Sequence, residues 1–129
     1  LKMKRGKILL IDDNEVDLHL TKILLEKVGY TVLENQGWLG VTKGIKFLNP
    51  DLVLLDVNMP ALSGDSLYDL ISTYIKAQKI PVLFYSSIDE THLKKLKIMK
   101  GVTDYIIKGD IIQLYKKISL YIKKKQQFN

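Results

Sequence analysis

The chain alternates short, continuously apolar runs with longer segments in which apolar residues recur every three or four positions. Continuous apolar runs are typical of strands that are buried on both faces, whereas the three-to-four spacing is typical of amphipathic helices. Strands are therefore predicted over five segments, residues 7–11, 30–33, 52–55, 80–85 and 104–107.

Helices are predicted between these strands and after the last one. Asn14 and Gly29 bracket the first helix, because Asn is a favoured N-cap and Gly is favoured just past a helix C-terminus. Asp110 and Gln113 have capping-box spacing at the start of the last helix. The apolar positions of these two helices are Val16, Leu20, Ile23, Leu24 and Val28, and then Ile111, Tyr115, Ile118 and Ile122.

Three further helices fill the remaining segments. The helix predicted over residues 37–48 is the weakest, because its three glycines each cost about 1 kcal/mol relative to Ala in a helix interior. The other two begin near Ser63 and near Asp89, and their apolar positions are Leu67, Leu70, Ile71 and Tyr74, and then Leu93, Leu96 and Met99.

Strands that alternate with helices predict an α/β protein with a parallel sheet. Each helix returns the chain across the sheet by a right-handed crossover, and helices on both faces give three layers in a doubly wound arrangement. A chain of 129 residues can form one core but is too short for two domains of ordinary size. We therefore expect one domain over residues 1–129, with its core at 7–124.

Composition narrows the functional classes. With 47% hydrophobic and 26% charged residues the chain matches a globular protein, and the absence of Cys excludes disulfides and thiolate metal sites. The longest apolar runs hold four residues, whereas a membrane span needs about 20. The basic start is not followed by the long apolar stretch of a secretory signal. We expect a cytoplasmic location and no membrane partner.

The net charge of +6 comes almost entirely from lysine, since Arg5 is the one arginine among 20 basic residues. Arg makes the forked contact that reads guanine edges, while Lys acts as a hydrated point charge on a mobile stem. We expect the lysines to form solvated faces, and we expect no direct nucleic-acid binding.

Polar residues follow four of the predicted strands, at the sheet edge where parallel sheets bind ligands. Three carboxylates brought together there would repel one another without a cation, and oxygen ligands suit Mg²⁺. An aspartate beside a metal and an ammonium group can accept a phosphoryl group. Taken singly, each residue also fits a turn, a helix cap or a solvated surface, so the hypothesis rests on the set. The set is Asp12, Asp13, Asp56, Ser86, Ser87 and Lys108.

An ordered series of motifs resembles the receiver domains of two-component response regulators, the CheY-like family. The resemblance spans residues 7–124 and implies a flavodoxin-like fold, with five parallel strands in the order 2-1-3-4-5 and five helices. The series consists of Asp12-Asp13, Asp56 with the following Met59-Pro60 and Ser63-Gly64, residues 81–86, and residues 104–108.

The resemblance implies a role for each site residue. Asp56 is expected to accept the phosphoryl group. Asp13, Asp56 and the backbone carbonyl of Asn58 are expected to hold Mg²⁺, with Asp12 assisting largely through water. Ser86 and Lys108 are expected to contact phosphoryl oxygens.

The same resemblance implies a switch and partners. Ser86 and Tyr105 would form the switch, because a hydroxyl drawn toward the phosphoryl group vacates space that an aromatic ring can fill. The surface of helix four, strand five and helix five would then contact a downstream effector protein or a fused output domain. A sensor histidine kinase, a phosphotransfer protein or a small phosphodonor would supply the phosphoryl group. Such a chain is not a conventional enzyme, since it catalyses only its own phosphorylation and dephosphorylation.

Two features depart from the family pattern. Gly109 follows Lys108 where the family usually has proline, so we expect a more flexible loop and a less firmly held Lys108. Ser87 stands where Ala or Gly is common. The start at Leu1 favours a receiver cut from a longer regulator or hybrid kinase over a stand-alone regulator.

Two other classes of protein remain as alternatives. A haloacid-dehalogenase-type phosphatase also uses an aspartyl nucleophile after a strand, but it needs a second Asp as general acid where this chain has Asn58. A flavodoxin-like nucleotide-binding module needs hydroxyls and amides in its first loop, whereas residues 12–15 read Asp-Asp-Asn-Glu. Phosphatase turnover or flavin absorbance would support these alternatives.

Overall fold

The computed structural model describes residues 4–59 and 64–127, in which strands and helices alternate. The strands are β1 (Gly6–Asp12), β2 (Tyr30–Gln36), β3 (Leu52–Leu55), β4 (Val82–Ser86) and β5 (Asp104–Ile107). The helices are α1 (Glu15–Lys27), α2 (Val41–Leu48), α3 (Gly64–Ala77), α4 (Glu90–Lys100) and α5 (Ile111–Gln127).

The strands form one parallel sheet in the order β2-β1-β3-β4-β5. This arrangement confirms the predicted α/β fold and its strand order. The chain moves from β1 outward to β2 and then returns to β3 on the other side of β1. The point where the strand order reverses therefore lies between the carboxyl ends of β1 and β3, which is where such sheets bind ligands.

Side chains of β1 alternate between two hydrophobic cores. Leu9 and Ile11 pack on the face covered by α2, α3 and α4, and Ile8 and Leu10 pack on the face covered by α1 and α5. All four residues of β3 are fully buried. Burial on both faces explains why these strands are continuously apolar. No helix in the part of the chain that the structure describes has the length and hydropathy required to cross a lipid bilayer.

The first helix is confirmed, but Val16, Leu20 and Ile23 of its predicted apolar stripe are exposed. The side chain of Asn14 accepts a hydrogen bond from the Asp17 N–H at 3.0 Å, as expected of an N-cap. Val16 and Leu20 are 67% and 54% exposed. The residues that α1 buries against the sheet are Leu18, Thr21 and Leu25.

The second helix is shorter than predicted and begins at Val41. Gly37 and Gly40 adopt φ values of 73° and 81°, which a helix cannot contain. The Asn35 side chain fixes this loop by donating hydrogen bonds to the carbonyls of Gly37 and Leu39, at 2.8 and 3.0 Å. The glycines therefore build the connection from β2 rather than the helix.

The third and fourth helices are present with local differences from the prediction. The predicted start of the third helix near Ser63 lies outside the described residues, and within them α3 begins at Gly64. The Asp89 carboxylate caps α4 by accepting a hydrogen bond from the His92 N–H at 2.9 Å. Leu93 is buried but Met99 is 75% exposed, so the predicted stripe leaves the core at the end of α4.

Candidate functional site

Three carboxylates meet at the carboxyl edge of the sheet. Asp12 ends β1, Asp13 follows it, and Asp56 comes directly after β3. One carboxylate oxygen from each lies within 4.8 Å of those of the other two. Asp12 and Asp56 are buried and Asp13 is half-buried. The adjacency of β1 and β3 thus unites residues that are far apart in sequence.

Backbone N–H groups orient two of these carboxylates. Asp12 Oδ1 accepts a hydrogen bond from the Asn14 N–H at 2.9 Å, and Asp56 Oδ1 accepts one from the Asn58 N–H at 3.0 Å. Each carboxylate therefore keeps its Oδ2 atom for a second partner. Both Oδ2 atoms lie near the Lys108 ammonium, at 2.7 Å for Asp12 and 3.3 Å for Asp56.

Lys108 follows β5 and directs its ammonium group into this site. Its Nζ also lies 3.0 Å from Asp17 Oδ2, so three carboxylates surround one ammonium. The following residue, Gly109, adopts a φ of 94°, a value that the proline ring cannot reach. Lys108 has three carboxylate partners and a side chain only 13% exposed; the expected effect of Gly109 on the flexibility of this loop stays a prediction.

Charge and burial act on these groups in opposite directions. Burial raises the pKa of the Asp12 carboxyl above its ordinary value, although Lys108 and the Asn14 N–H counteract it. Burial would lower the pKa of Lys108, but the hydrogen bonds that its ammonium donates to Asp12 and Asp17, together with the nearby negative charges, outweigh burial and raise the pKa. Lys108 is therefore charged at neutral pH, and the surrounding carboxylates still carry excess negative charge that a cation would offset.

A polar cavity of about 570 Å³ opens beside these groups. Asn58 lies at its wall, and the role of its backbone carbonyl toward a metal stays a prediction. The lining residues are Asp13, Asn14, Asp17, Asp56, Asn58, Met59, Ser87 and Lys108.

The two serines at the end of β4 differ in their surroundings. Ser86 is fully buried, and its Oγ accepts a hydrogen bond from the Ile88 N–H at 3.4 Å. Ser87, which the sequence analysis places in the same polar set, lines the cavity. The role of Ser86 toward a phosphoryl group stays a prediction.

Asp17 is a site residue that the sequence analysis missed. It lies in the first turn of α1, and its partner Lys108 is 91 residues further along the chain. One signal was available, since Asp17 follows Asp13 by four residues and so lies about one helical turn from the acidic loop.

The Tyr105 side chain is held between α4 and α5. Its hydroxyl lies 3.4 Å from Glu90 Oε2, and Lys117 Nζ lies 4.6 Å from the centre of its ring. The adjacent Asp104 accepts hydrogen bonds from the Tyr121 hydroxyl at 2.6 Å and from Lys117 at 3.2 Å. Burial and the Asp104 carboxylate raise the pKa of Tyr121 to about 12. The predicted movement of Tyr105 stays a prediction.

Comparison with solved structures supports the fold. The receiver domain of the Francisella response regulator 1452 superposes with a TM-score of 0.81 and 25% identity, covering 92% of this chain and 98% of that one. A CheY-like receiver domain protein from Methanospirillum hungatei gives a TM-score of 0.80 at 22% identity, covering 95% and 98% of the two chains.

Sequence comparison identifies relatives in longer proteins. The CAI-1 autoinducer sensor kinase/phosphatase CqsS of Vibrio cholerae is 31% identical over 90% of this chain. The alkaline phosphatase synthesis transcriptional regulatory protein PhoP of Bacillus subtilis is 33% identical over 79%. The chain spans only 17% of the length of CqsS and 42% of that of PhoP.

The family comparison covers most of the chain. Residues 8–119 match the response regulator receiver domain, and this match does not favour the phosphatase or nucleotide-binding alternatives. Because the match includes most of β1, the other four strands and the residues Asp12, Asp13, Asp56 and Lys108, the chain belongs to the response regulator receiver domain family.

Proposed function

We propose that residues 1–129 form a single receiver domain that accepts a phosphoryl group on Asp56. The observation that supports this proposal most strongly is the Lys108 ammonium, which lies 3.3 Å from Asp56 Oδ2 although the two residues follow different strands. A buried carboxylate beside a fixed ammonium is suited to accept a phosphoryl group, because the ammonium offsets the charge on the phosphoryl oxygens.

Mg²⁺ is the cation that this donor set fits. Asp13, Asp56 and the backbone carbonyl of Asn58 would hold it, because hard cations with retained waters prefer such oxygen ligands. Asp12 would assist largely through water, as the family resemblance implies. When bound, Mg²⁺ would neutralise charge on the phosphoryl oxygens.

The transfer reaction needs one bond formed and one broken. A carboxylate oxygen of Asp56 attacks phosphorus, and the bond from phosphorus to the donor's leaving group breaks with its electron pair on that group. Lys108 and the Ser86 hydroxyl would contact phosphoryl oxygens. In dephosphorylation, the oxygen of a water molecule bonds to phosphorus while the bond from phosphorus to Asp56 breaks, which releases inorganic phosphate and a proton and regenerates the carboxylate. The chain would therefore catalyse only its own phosphorylation and dephosphorylation.

The partners follow from this reaction. A sensor histidine kinase, a phosphotransfer protein or a small phosphodonor would supply the phosphoryl group, and a cytoplasmic location fits because small phosphodonors are intracellular metabolites. A downstream effector or a fused output domain would read the surface of α4, β5 and α5. Tyr105 lies on this surface beside Glu90 and Lys117, which supports its role as the switch residue together with Ser86.

Incubation with acetyl phosphate and Mg²⁺, followed by intact-mass measurement, tests the proposal. We expect one labile phosphoryl adduct on the wild-type protein and none on Asp56→Asn. Chelation of Mg²⁺ should also prevent the adduct. An adduct that persists in Asp56→Asn would refute the site, and a wild-type protein that reacts with neither acetyl phosphate nor phosphoramidate would refute the function.

A further inference from the structure

One of the three carboxylates around Lys108 lies outside the proposed acceptor and metal site. Asp17 belongs to α1, and its Oδ2 lies 3.0 Å from Lys108 Nζ. Its side chain is 42% exposed, whereas those of Asp12 and Asp56 are 2% and 5% exposed. Asp17 therefore contacts the ammonium from the solvent side of the cavity.

Asp17 is not required to hold Lys108 in the site. Asp12 Oδ2 is closer to the ammonium, at 2.7 Å, and its side chain is almost fully buried. A buried ion pair is screened by water much less than an exposed one. Removal of the Asp17 charge would therefore leave Lys108 attached to Asp12 and directed toward Asp56.

Each N–H donor of the Lys108 ammonium already has a carboxylate partner available. The ammonium carries three hydrogens, and three carboxylates already lie within 3.3 Å of Nζ. During transfer, the oxygens of the phosphoryl group approach while Asp56 is still present, so more acceptors meet the same three hydrogens. Asp17 is the most exposed of the three partners, and it is the one whose contact does not serve the reaction.

Asp17 also adds negative charge to the cavity. With it, the four carboxylates and one ammonium around the cavity carry a net charge of −3, and a divalent cation would leave −1. Without the Asp17 charge the loaded site would be neutral. Phosphodonors are anions, so the extra charge opposes their approach to Asp56.

We propose that Asp17 competes with the incoming phosphoryl group for the Lys108 ammonium and so slows phosphorylation of Asp56. The inference rests on the proposed function, because it assumes transfer to Asp56. Asp17 acts through Lys108 and is therefore a positioning residue rather than a catalytic one. Asp17 slows phosphorylation because its charge weakens the positive potential that Lys108 presents to phosphoryl oxygens.

Asp17→Asn tests this proposal with little change of shape. The Asp17 N–H keeps its hydrogen bond to the N-cap Asn14, because that bond is made by the backbone. Glu15→Gln is the matched control, since Glu15 is exposed and is the other acidic residue in the first turn of α1. It removes the same charge from the same helix end without breaking any Lys108 ion pair in the described part of the chain.

The measurement is the rate of adduct formation with acetyl phosphate and Mg²⁺ at about 0.15 M ionic strength, followed by intact mass. We expect Asp17→Asn to react about three- to tenfold faster than wild type, the size expected of one partly screened charge. Glu15→Gln should remain within about twofold of wild type. In a double-mutant cycle, Asp17→Asn should no longer increase the rate when Lys108 is already replaced by alanine (Lys108→Ala). A merely structural effect of Asp17 would persist in that background.

Each outcome decides one claim. The proposal that Asp17 competes for Lys108 is wrong if the Asp17→Asn variant reacts at the wild-type rate or more slowly. It is also wrong if Glu15→Gln increases the rate of adduct formation as much as Asp17→Asn does. Comparison of these two variants is sufficient to test the proposal. The double-mutant cycle then shows whether the effect of Asp17 depends on Lys108. If the wild-type protein forms no adduct on Asp56 with either acetyl phosphate or phosphoramidate, the proposed function fails and this inference fails with it.

Discussion

At the scale of single residues, the site depends on how closely α3 approaches the backbone of Asp56, directly after β3. Gly64 is the first residue of α3 and is buried, and its N–H donates a hydrogen bond to the Val57 carbonyl at 3.3 Å. A Cβ atom at Gly64 would overlap the backbone carbonyl oxygen of Asp56. This contact gives a physical reason for glycine at this position of the motif.

Gly64→Ala should therefore destabilise the protein and disturb the acceptor site. We expect the free energy of unfolding to fall by about 1–3 kcal/mol, as is usual when an added methyl group forces the backbone to move. Phosphorylation of Asp56 should slow at the same time. Urea denaturation measures the first effect and intact mass the second.

Gly44→Ala is the matched control for this substitution. A Cβ atom at Gly44 would make only ordinary contacts, 3.8 Å from Leu9 Cδ1 being the shortest. Alanine is the better helix former, so this variant should be unchanged or up to about 1 kcal/mol more stable. Equal stability losses in both variants would show that the close approach of Gly64 is not the cause.

The main site residues could be identified from the sequence because each follows a strand. Asp12, Asp56 and Lys108 come directly after apolar runs that end at the same sheet edge. Asp17 was missed for a physical reason. Asp17 lies within a helix, and its place in the site depends on a contact with a residue 91 positions away.

At the scale of elements, α1 has two stripes of residues at helical spacing. One contains Val16, Leu20 and Ile23 and is exposed, and the other contains Leu18 and Leu25 and is buried. Periodicity predicted the helix correctly but could not decide which stripe meets the sheet, because both are apolar. Which stripe of α1 packs against the sheet is determined by contacts with distant parts of the chain.

Leucine substitutions on the two stripes should have very different effects. Leu25 is 0% exposed and packs in the core shared with α5, so Leu25→Ala should lower the free energy of unfolding by about 2–5 kcal/mol. Leu20 is 54% exposed, so Leu20→Ala should change it by no more than about 0.5 kcal/mol. Urea denaturation distinguishes them, and similar losses would contradict the observed orientation of α1.

Strand limits were predictable only where apolar residues mark them. β3 is apolar throughout and its limits were predicted correctly. β2 continues past Leu33 through polar residues to Gln36, because residues 34–36 pair with residues 10–12 of β1. That pairing is a property of the sheet, and no local pattern in the sequence carries it.

At the scale of the whole molecule, the strand order brings like charges close together at the site. Two adjacent strands bring three carboxylates within 4.8 Å of one another, at the point where the strand order reverses. Their repulsion opposes folding, and a bound cation would reverse the sign of this effect. The order 2-1-3-4-5 itself came from the family resemblance, because apolar runs alone do not specify which strands are neighbours.

Magnesium should therefore stabilise the folded protein. Binding to the native state alone adds about 2.7 kcal/mol when the metal concentration is 100 times its Kd. Asp13→Asn should lose most of this gain, while in magnesium-free buffer it should be more stable than wild type because one repelling charge is gone. Thermal unfolding with and without Mg²⁺ measures both effects, with Glu15→Gln as a control that keeps the response. An undiminished Mg²⁺ response in Asp13→Asn would rule out this ligand set.

The central claim is that the carboxylate of Asp56 becomes an acyl phosphate. Borohydride reduces an acyl phosphate of aspartate to homoserine, so treatment after incubation with acetyl phosphate and Mg²⁺ marks the modified residue permanently. Peptide sequencing by mass spectrometry should then find homoserine at position 56 and at no other position. Homoserine at position 12 or 13, or a phosphoryl group that borohydride leaves on a serine or histidine, would contradict the claim.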